Sequence, residues 1–249
     1  MKIVVCVNHV PDTETKIKIA QDNVSIDKAG VNYMLSPYDE FAVEEALRLR
    51  EKFKGEVTAV SVGSDAHKDT LRKALAMGVD KAVLLKDDGV RDSFAVAFAL
   101  AEELRPLAPD VVLLGKQSID YDDAQVGTLV ATLLGLPSVS VVVKLEVRDD
   151  GTVVCDREIE GGHETVQTKL PAVFTAQKGL NEPRYPSLKG IMAAKSKPIE
   201  TKPAAAAPLR VETLAMRRPA AKSAGKILGT DKTAVPELIR LLHEEAKVI

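Results

Sequence analysis

"SPYDEFAVEEALRLREKFKGEVTAVSV", residues 36–62, holds two periodicities back to back. The first part repeats its apolar residues with a period near 3.6, which predicts a helix. Ser36 can cap that helix, Pro37 fits its first turn, and Asp39 completes an S-x-x-D capping box. Gly55 is placed to end it. The second part, EVTAVSV (56–62), is short and Val-rich, as expected of a strand buried on both faces of a parallel sheet.

The same unit recurs on either side. KIVVCV (2–7), KAVLL (81–85) and DVVLL (110–114) are further strand-like runs. "SDAHKDTLRKALAMG", "SFAVAFALAEELRPL" and "DAQVGTLVATLLGLP" carry helical periodicity, the first closed by Gly78 and the second stopped near Pro106. Repeated strand–helix wiring predicts an α/β fold with a mostly parallel sheet flanked by helices. The period then changes. Residues 138–177 read as β-like pieces separated by "RDDG" and "EGG", either antiparallel edge strands or a small second layer. The Pro- and Ala-rich stretch near Pro203 and Pro208 reads as an extended linker. An amphipathic helix follows, with Leu238, Leu241 and Leu242 on one face and Glu237, Arg240 and Glu244 on the other. It packs on its own domain or on a partner. The expected division is an α/β domain over 1–198 and an arm over 199–249.

A chain of 249 residues can bury one large α/β domain, or one domain with an appendage. The net charge of -2 gives no general reason to expect nucleic acid as a partner. Cys6 and Cys155 sit in apolar runs with no CxxC, so they read as buried thiols in a reducing compartment. "MKIVVCVNHV" is apolar too briefly for a signal peptide, and no stretch approaches a membrane span. The expectation is a soluble cytoplasmic or matrix protein.

In a parallel sheet, ligands sit beyond the carboxyl ends of the strands. Three loops qualify: "NHVPDTETK", "GSDA" and "GKQSIDYDDAQVG". The third leads into a helix opening near Gln125, Val126, Gly127 and Thr128, where free backbone N–H groups suit a phosphate. Alternatively, Asp122 or Asp123 caps the helix. GxxxxGK[ST] and GxGxxG are both absent, so a nucleotide would be held mostly by main chain. His67 and His243 read as surface residues, His9 stands at the ligand edge, and His163 reads as a turn residue or a neighbour of a bound ring. No histidine pairs with a cysteine, with a GxSxG serine or with carboxylates at metal spacing. A self-contained hydrolase or metalloenzyme is disfavoured. The chain either carries a cofactor or completes its site with a second chain.

"LNEPRYPSLKGIMAAKSKP" (180–198) breaks the pattern. Pro183 and Pro186 predict a stiff protrusion, on which Leu188, Ile191 and Met192 open a short helix that ends near Lys195 and Lys197. An apolar tip on a basic base suits transient docking.

Five stretches together resemble the beta (small) subunit of electron transfer flavoprotein: 36–51, 71–84, 115–127, "REIEGGHETVQTKLPAVFTA" (157–176) and 180–198. The resemblance covers nearly the whole chain and weakens beyond about residue 200. It implies an adenine-nucleotide-binding α/β domain with flavodoxin/Rossmann-like layers, an added β-hairpin region and an extended C-terminal arm embracing the alpha subunit. Such proteins are heterodimeric electron carriers from flavin dehydrogenases, such as acyl-CoA dehydrogenases, to a membrane quinone oxidoreductase. FAD is held chiefly by the alpha subunit. The beta subunit binds AMP in most members and a second FAD in electron-bifurcating ones. It contributes no catalytic residue set of its own.

Carried onto this chain, the resemblance places the nucleotide around Cys6, Asn8, Val62, Gly63 and Gln125 through Thr128, with Asp39 helping to enclose the base. Asp12 and Thr13 approach the main flavin. In the recognition loop, Leu188 is the expected anchor, with Pro183, Arg184, Tyr185, Ile191, Met192 and Lys195 around it. Many AMP-binding members have Asn-Gln-Thr-Gly where this chain has Ala124-Gln125-Val126-Gly127, and bifurcating members have Thr where it has Asp123. A stand-alone nucleotide-binding sensor would suit the first 130 residues, but the 157–176 stretch and the arm argue against it.

Overall fold

The structure is a computed structural model that describes residues 1–221 and 224–249. Its centre is a nine-stranded sheet built from β1 (Lys2–Cys6), β4 (Glu56–Gly63), β5 (Lys81–Lys86), β6 (Val111–Gly115), β7 (Ser138–Val147), β8 (Thr152–Ile159), β9 (Gly162–Lys169), β10 (Ala172–Ala176) and β11 (Ile199–Pro203). In space their order is β11-β5-β4-β1-β6-β10-β7-β8-β9. All pairings from β11 to β7 are parallel, and β8 and β9 are antiparallel additions. A short antiparallel ribbon, β2 (His9–Pro11) with β3 (Tyr33–Leu35), stands apart.

Alternation along the strands assigns the two faces. Ile3 and Val5 of β1 share a buried cluster with Val43, Ala46 and Leu47 of α1 (Pro37–Phe53) and with Leu71 and Leu75 of α2 (His67–Met77). Val4 and Cys6 point the other way, to Ala97, Leu100 and Leu104 of α3 (Ser93–Leu107) and Val130 of α4 (Val126–Leu134). Helices on both faces explain why these strands are continuously apolar. The four expected strands and four expected helices are all present.

The structure departs from the sequence reading at several points. Of the two readings of 138–177 the sheet extension holds, with β8 and β9 antiparallel at the edge, but its last piece, β10, departs from it by inserting as a parallel strand between β6 and β7. Ile199–Pro203, expected as linker, pairs in register with β5, from Ile199 opposite Ala82 to Pro203 opposite Lys86. It is an edge strand with mostly exposed side chains, where proline is tolerated. Helix α1 ends at a left-handed Lys54 (φ 49°), one residue before the expected Gly55. Proline 106 lies inside α3, which runs on to Leu107.

The chain divides into two units, Met1–Leu214 and Ala215–Ile249. Within the second, α6 (Val235–Glu244) carries exposed Leu238 and Ile239, and its Arg240 pairs with Glu237 and Glu244. No helix among the described residues is long and apolar enough to cross a membrane.

Candidate functional site

The direction of strand addition reverses at β1: β4 and β5 lie on one side, β6 on the other. A crevice therefore opens between the carboxyl ends of β1 and β6. Asp39, only 6% exposed, spans this point from the first turn of α1. Its Oδ2 accepts the Asn8 N–H at 2.8 Å, and its Oδ1 accepts the Gly115 N–H at 2.8 Å. This corrects the capping-box reading. Ser36 stands at the N-cap without a side-chain capping bond, and its Oγ is buried without a partner. The two distant N–H groups outcompete the local cap. Burial pushes the Asp39 carboxyl up to about 7, against these two hydrogen bonds, which favour the anion. A Cβ on Gly115 would lie 2.6 Å from Asp39 Oδ1, so only glycine admits the approach.

Helix α4 points its N-terminus at the same edge. Gln125 is its N-cap and makes no side-chain capping bond, which leaves the first-turn N–H groups available. Neither aspartate caps it, contrary to the alternative reading: Asp123 accepts from Ser93 Oγ, and Asp122 accepts from Gln117 Nε2. Asp122 and Asp123 are thus engaged away from the helix terminus, while Asp120 stays near enough to Asp39 to add to burial in raising its carboxyl. Gly127 packs on β10, where a Cβ would lie 2.4 Å from Thr175 Cγ2. The uncapped helix, the close-packed glycine and the orphaned Ser36 hydroxyl fit an adenine nucleotide held mainly by backbone.

At the end of β4, Val62 and Gly63 meet a histidine pair that sequence reasoning only half found. His9 stacks on Tyr33 with centroids 4.5 Å apart, and its Nδ1 lies 2.8 Å from Thr70 Oγ1. His67, expected at the surface, packs 4.9 Å from the His9 ring, where a Cβ on Gly63 would collide with it at 2.2 Å. Burial, and then the neighbouring His9, lower His67 to about 4. A glycine four residues before a histidine in the first turn of a helix was the available signal. Cys6, at the end of β1, is a buried thiol in the cluster beneath α3 and α4, and burial pushes its pKa up, so it is unreactive. Asp12 and Thr13 lie past β2, in the loop that leaves the ribbon, where Asp12 N–H donates to Asn32 O at 2.8 Å.

The 180–198 segment forms a second locus, built on α1 and α2. Arg184 is engaged within the chain, by Glu44 and Glu51. Burial alone would raise the Glu44 carboxyl, but hydrogen bonds from Arg184 and Arg48 hold it below the ordinary value. Tyr185 (95% exposed), Leu188 (83%) and Met192 (65%) face outward with Ile191, on and beside α5 (Leu188–Ser196). Among the described residues no group of His, Cys, Asp and Glu is arranged to hold a metal.

Residues 24–207 match the electron transfer flavoprotein domain family. The chain belongs to the electron transfer flavoprotein beta-subunit family. It is 42% identical over 250 residues to the electron transfer flavoprotein subunit beta of Syntrophomonas wolfei, covering 100% of this chain and 98% of that relative. Its identity to the Bacillus subtilis subunit beta is 40%, over 100% of both chains. The mitochondrial subunit beta of Arabidopsis thaliana is 39% identical, again over 100% of both. The parallel sheet with flanking helices is the fold expected of this family.

Proposed function

We propose that this chain is the beta subunit of a heterodimeric electron carrier. It would bind a structural AMP at the β1/β6 crevice and help its alpha partner enclose an FAD. The observation that carries the reading is the uncapped α4 N-terminus facing the edge spanned by Asp39, in a chain aligned end to end with electron transfer flavoprotein beta subunits. FAD, when bound, supplies the one- and two-electron steps. The chain's own groups hold and orient. The N–H groups of Val126, Gly127 and Thr128 receive phosphate, Asn8 and Asp39 border the base, and Cys6, Val62 and Gly63 form the floor. Asp12 and Thr13, in the loop after β2, face the main flavin, and the C-terminal arm with α6 embraces the alpha subunit.

Leu188, with Pro183, Tyr185, Ile191, Met192 and Lys195 around it, would dock acyl-CoA dehydrogenases or related flavin dehydrogenases, and electrons would leave to a membrane quinone oxidoreductase. Two unpaired buried cysteines suit the cytoplasm, or the mitochondrial matrix in a eukaryote.

A second reading, a bifurcating carrier with a second FAD in place of AMP, is favoured by Asp123 being drawn to Ser93, which clears the helix terminus for a diphosphate. Denaturing the purified heterodimer and quantifying released nucleotides separates the two. One FAD and one AMP per pair supports the first, and two FAD with no AMP supports the second. A correctly assembled pair that stays colourless after FAD is added defeats both.

A further inference from the structure

Helix α5 presents its apolar side chains the wrong way for a helix held by burial. Leu188, Ile191 and Met192 are exposed, and Ala194 is its one buried residue. Nine residues with an internal glycine would not stay helical in water unaided. What holds it is a set of polar clamps on α1 and α2. Arg184 Nε and Nη2 donate to the two oxygens of Glu44 at 2.8 and 3.0 Å, and Nη1 donates to Glu51 at 2.6 Å. The Glu44 side chain is 4% exposed and that of Arg184 35%, so the carboxylate is withdrawn from water and the two parallel bonds fix the guanidinium over it. Asn181 Nδ2 donates to Phe41 O and to Glu45, each at 3.0 Å. At the far end of α5, Arg72 Nη1 donates to Ala194 O at 2.5 Å and to Lys197 O at 2.6 Å, capping carbonyls that the helix leaves open. Between them Gly190 seats α5 against α2, where a Cβ would lie 2.4 Å from Ala76 O.

We propose that Arg184 with Glu44, Arg72 and Gly190 are positioning residues that hold the α5 anchor in its docking conformation before any partner arrives. The partner then meets a formed surface and orders little on binding, which keeps affinity from being spent on folding a loop. The inference rests on the docking role assigned above to Leu188. The clamps act from beneath and touch no partner.

The test uses the assembled heterodimer and two readouts. Amide hydrogen exchange across 188–196 reports the clamp, and electron transfer from an acyl-CoA dehydrogenase charged with octanoyl-CoA reports docking. Arg72→Ala removes two charge-assisted hydrogen bonds. It should speed exchange in α5 by about tenfold or more and raise KM for the carrier by a similar factor, with kcat and flavin content unchanged. Arg184→Ala strands a buried carboxylate, so it is made together with Glu44→Gln, which removes that charge; the same pattern is expected. Unchanged exchange in both variants overturns the positioning role. Faster exchange with unchanged KM, or no transfer from the dehydrogenase to the wild-type pair, overturns the docking role of α5, while exchange still judges the clamps.

Discussion

Replacing Gly127 by alanine tests the packing beneath the α4 N-terminus. The new Cβ would lie 2.4 Å from Thr175 Cγ2, whereas carbon atoms rest about 3.5–4.0 Å apart, so something must move by about 1 Å. Thr175 is buried and is not free to rotate, because its Oγ1 accepts the Val141 N–H at 3.0 Å. Val141 sits at φ 62°, costly for a β-branched residue, and depends on such contacts to stay there. Overpacking of this kind costs about 1–3 kcal/mol. The conformational gain of alanine over glycine returns about 0.5–1 kcal/mol. The expected net loss is therefore about 1–2 kcal/mol, read as a lowered urea midpoint of the chain. Thr175→Ser keeps the hydroxyl and deletes the obstructing methyl, costing about 1 kcal/mol by itself. In that background Gly127→Ala should keep only the alanine gain and stabilise by about 0.5–1 kcal/mol, giving a coupling of about 1–3 kcal/mol in the double-mutant cycle. Equal losses in both backgrounds would refute the argument, since Thr175 would then not be the obstacle.

The stability of the chain should carry two opposed pH slopes. Asp39 rises from 3.8 to about 7 on folding, so the folded state holds its proton longer, and stability falls by a few kcal/mol, about 4 at most, as pH rises between those values. His67 falls from 6.5 to about 4, so its contribution of about 2–3 kcal/mol is present above 6.5 and lost as pH falls toward 4. Urea midpoints of Asp39→Asn should therefore rise with pH over this window, those of His67→Gln should fall, and matching profiles for the two variants would sink the assignment. An NMR titration of His67 should give a midpoint near 4, and a normal value would mean the ring is solvated. Leu188→Ala should raise KM for the carrier in dehydrogenase-driven reduction by about ten- to a hundredfold, the worth of one buried leucine, without loss of flavin. Parallel loss of flavin would make the segment structural instead. Gly63→Ala, with its Cβ 2.2 Å from the His67 ring, should expel that ring and abolish the depressed His67 titration.

What the sequence disclosed follows how local each determinant is. The strands β1, β4, β5 and β6 and the helices between them were readable because two-face burial and helical periodicity are written over windows of five to fifteen residues. Strand β11 was not, because edge strands need no apolar alternation, and "IETKP" has the composition of a linker. Asp39 satisfied a local capping rule, yet its partners lie 31 and 76 residues away. Arg184 read as part of the partner-facing loop, while Glu44, 140 residues earlier, draws it inward. The loop carboxylates Asp122 and Asp123 were visible as possible caps of α4, but the side chains that engage them instead, Gln117 and Ser93, were not.

Strand β10 lies between β6 and β7, and among the described strands it alone joins the β7–β8–β9 portion to the rest of the sheet. All five of its residues are buried. Yet it is made after both of its neighbours. A chain leaving the ribosome holds β6 and the β7–β8–β9 meander with facing edges bare until residues 172–176 emerge. Over that interval the apolar "VVLLG" edge of β6 can recruit a neighbouring chain. A chain truncated between Lys169 and Ala176 should therefore be especially prone to aggregate, and the same bare edges are what a chaperone would hold before residues 172–176 emerge.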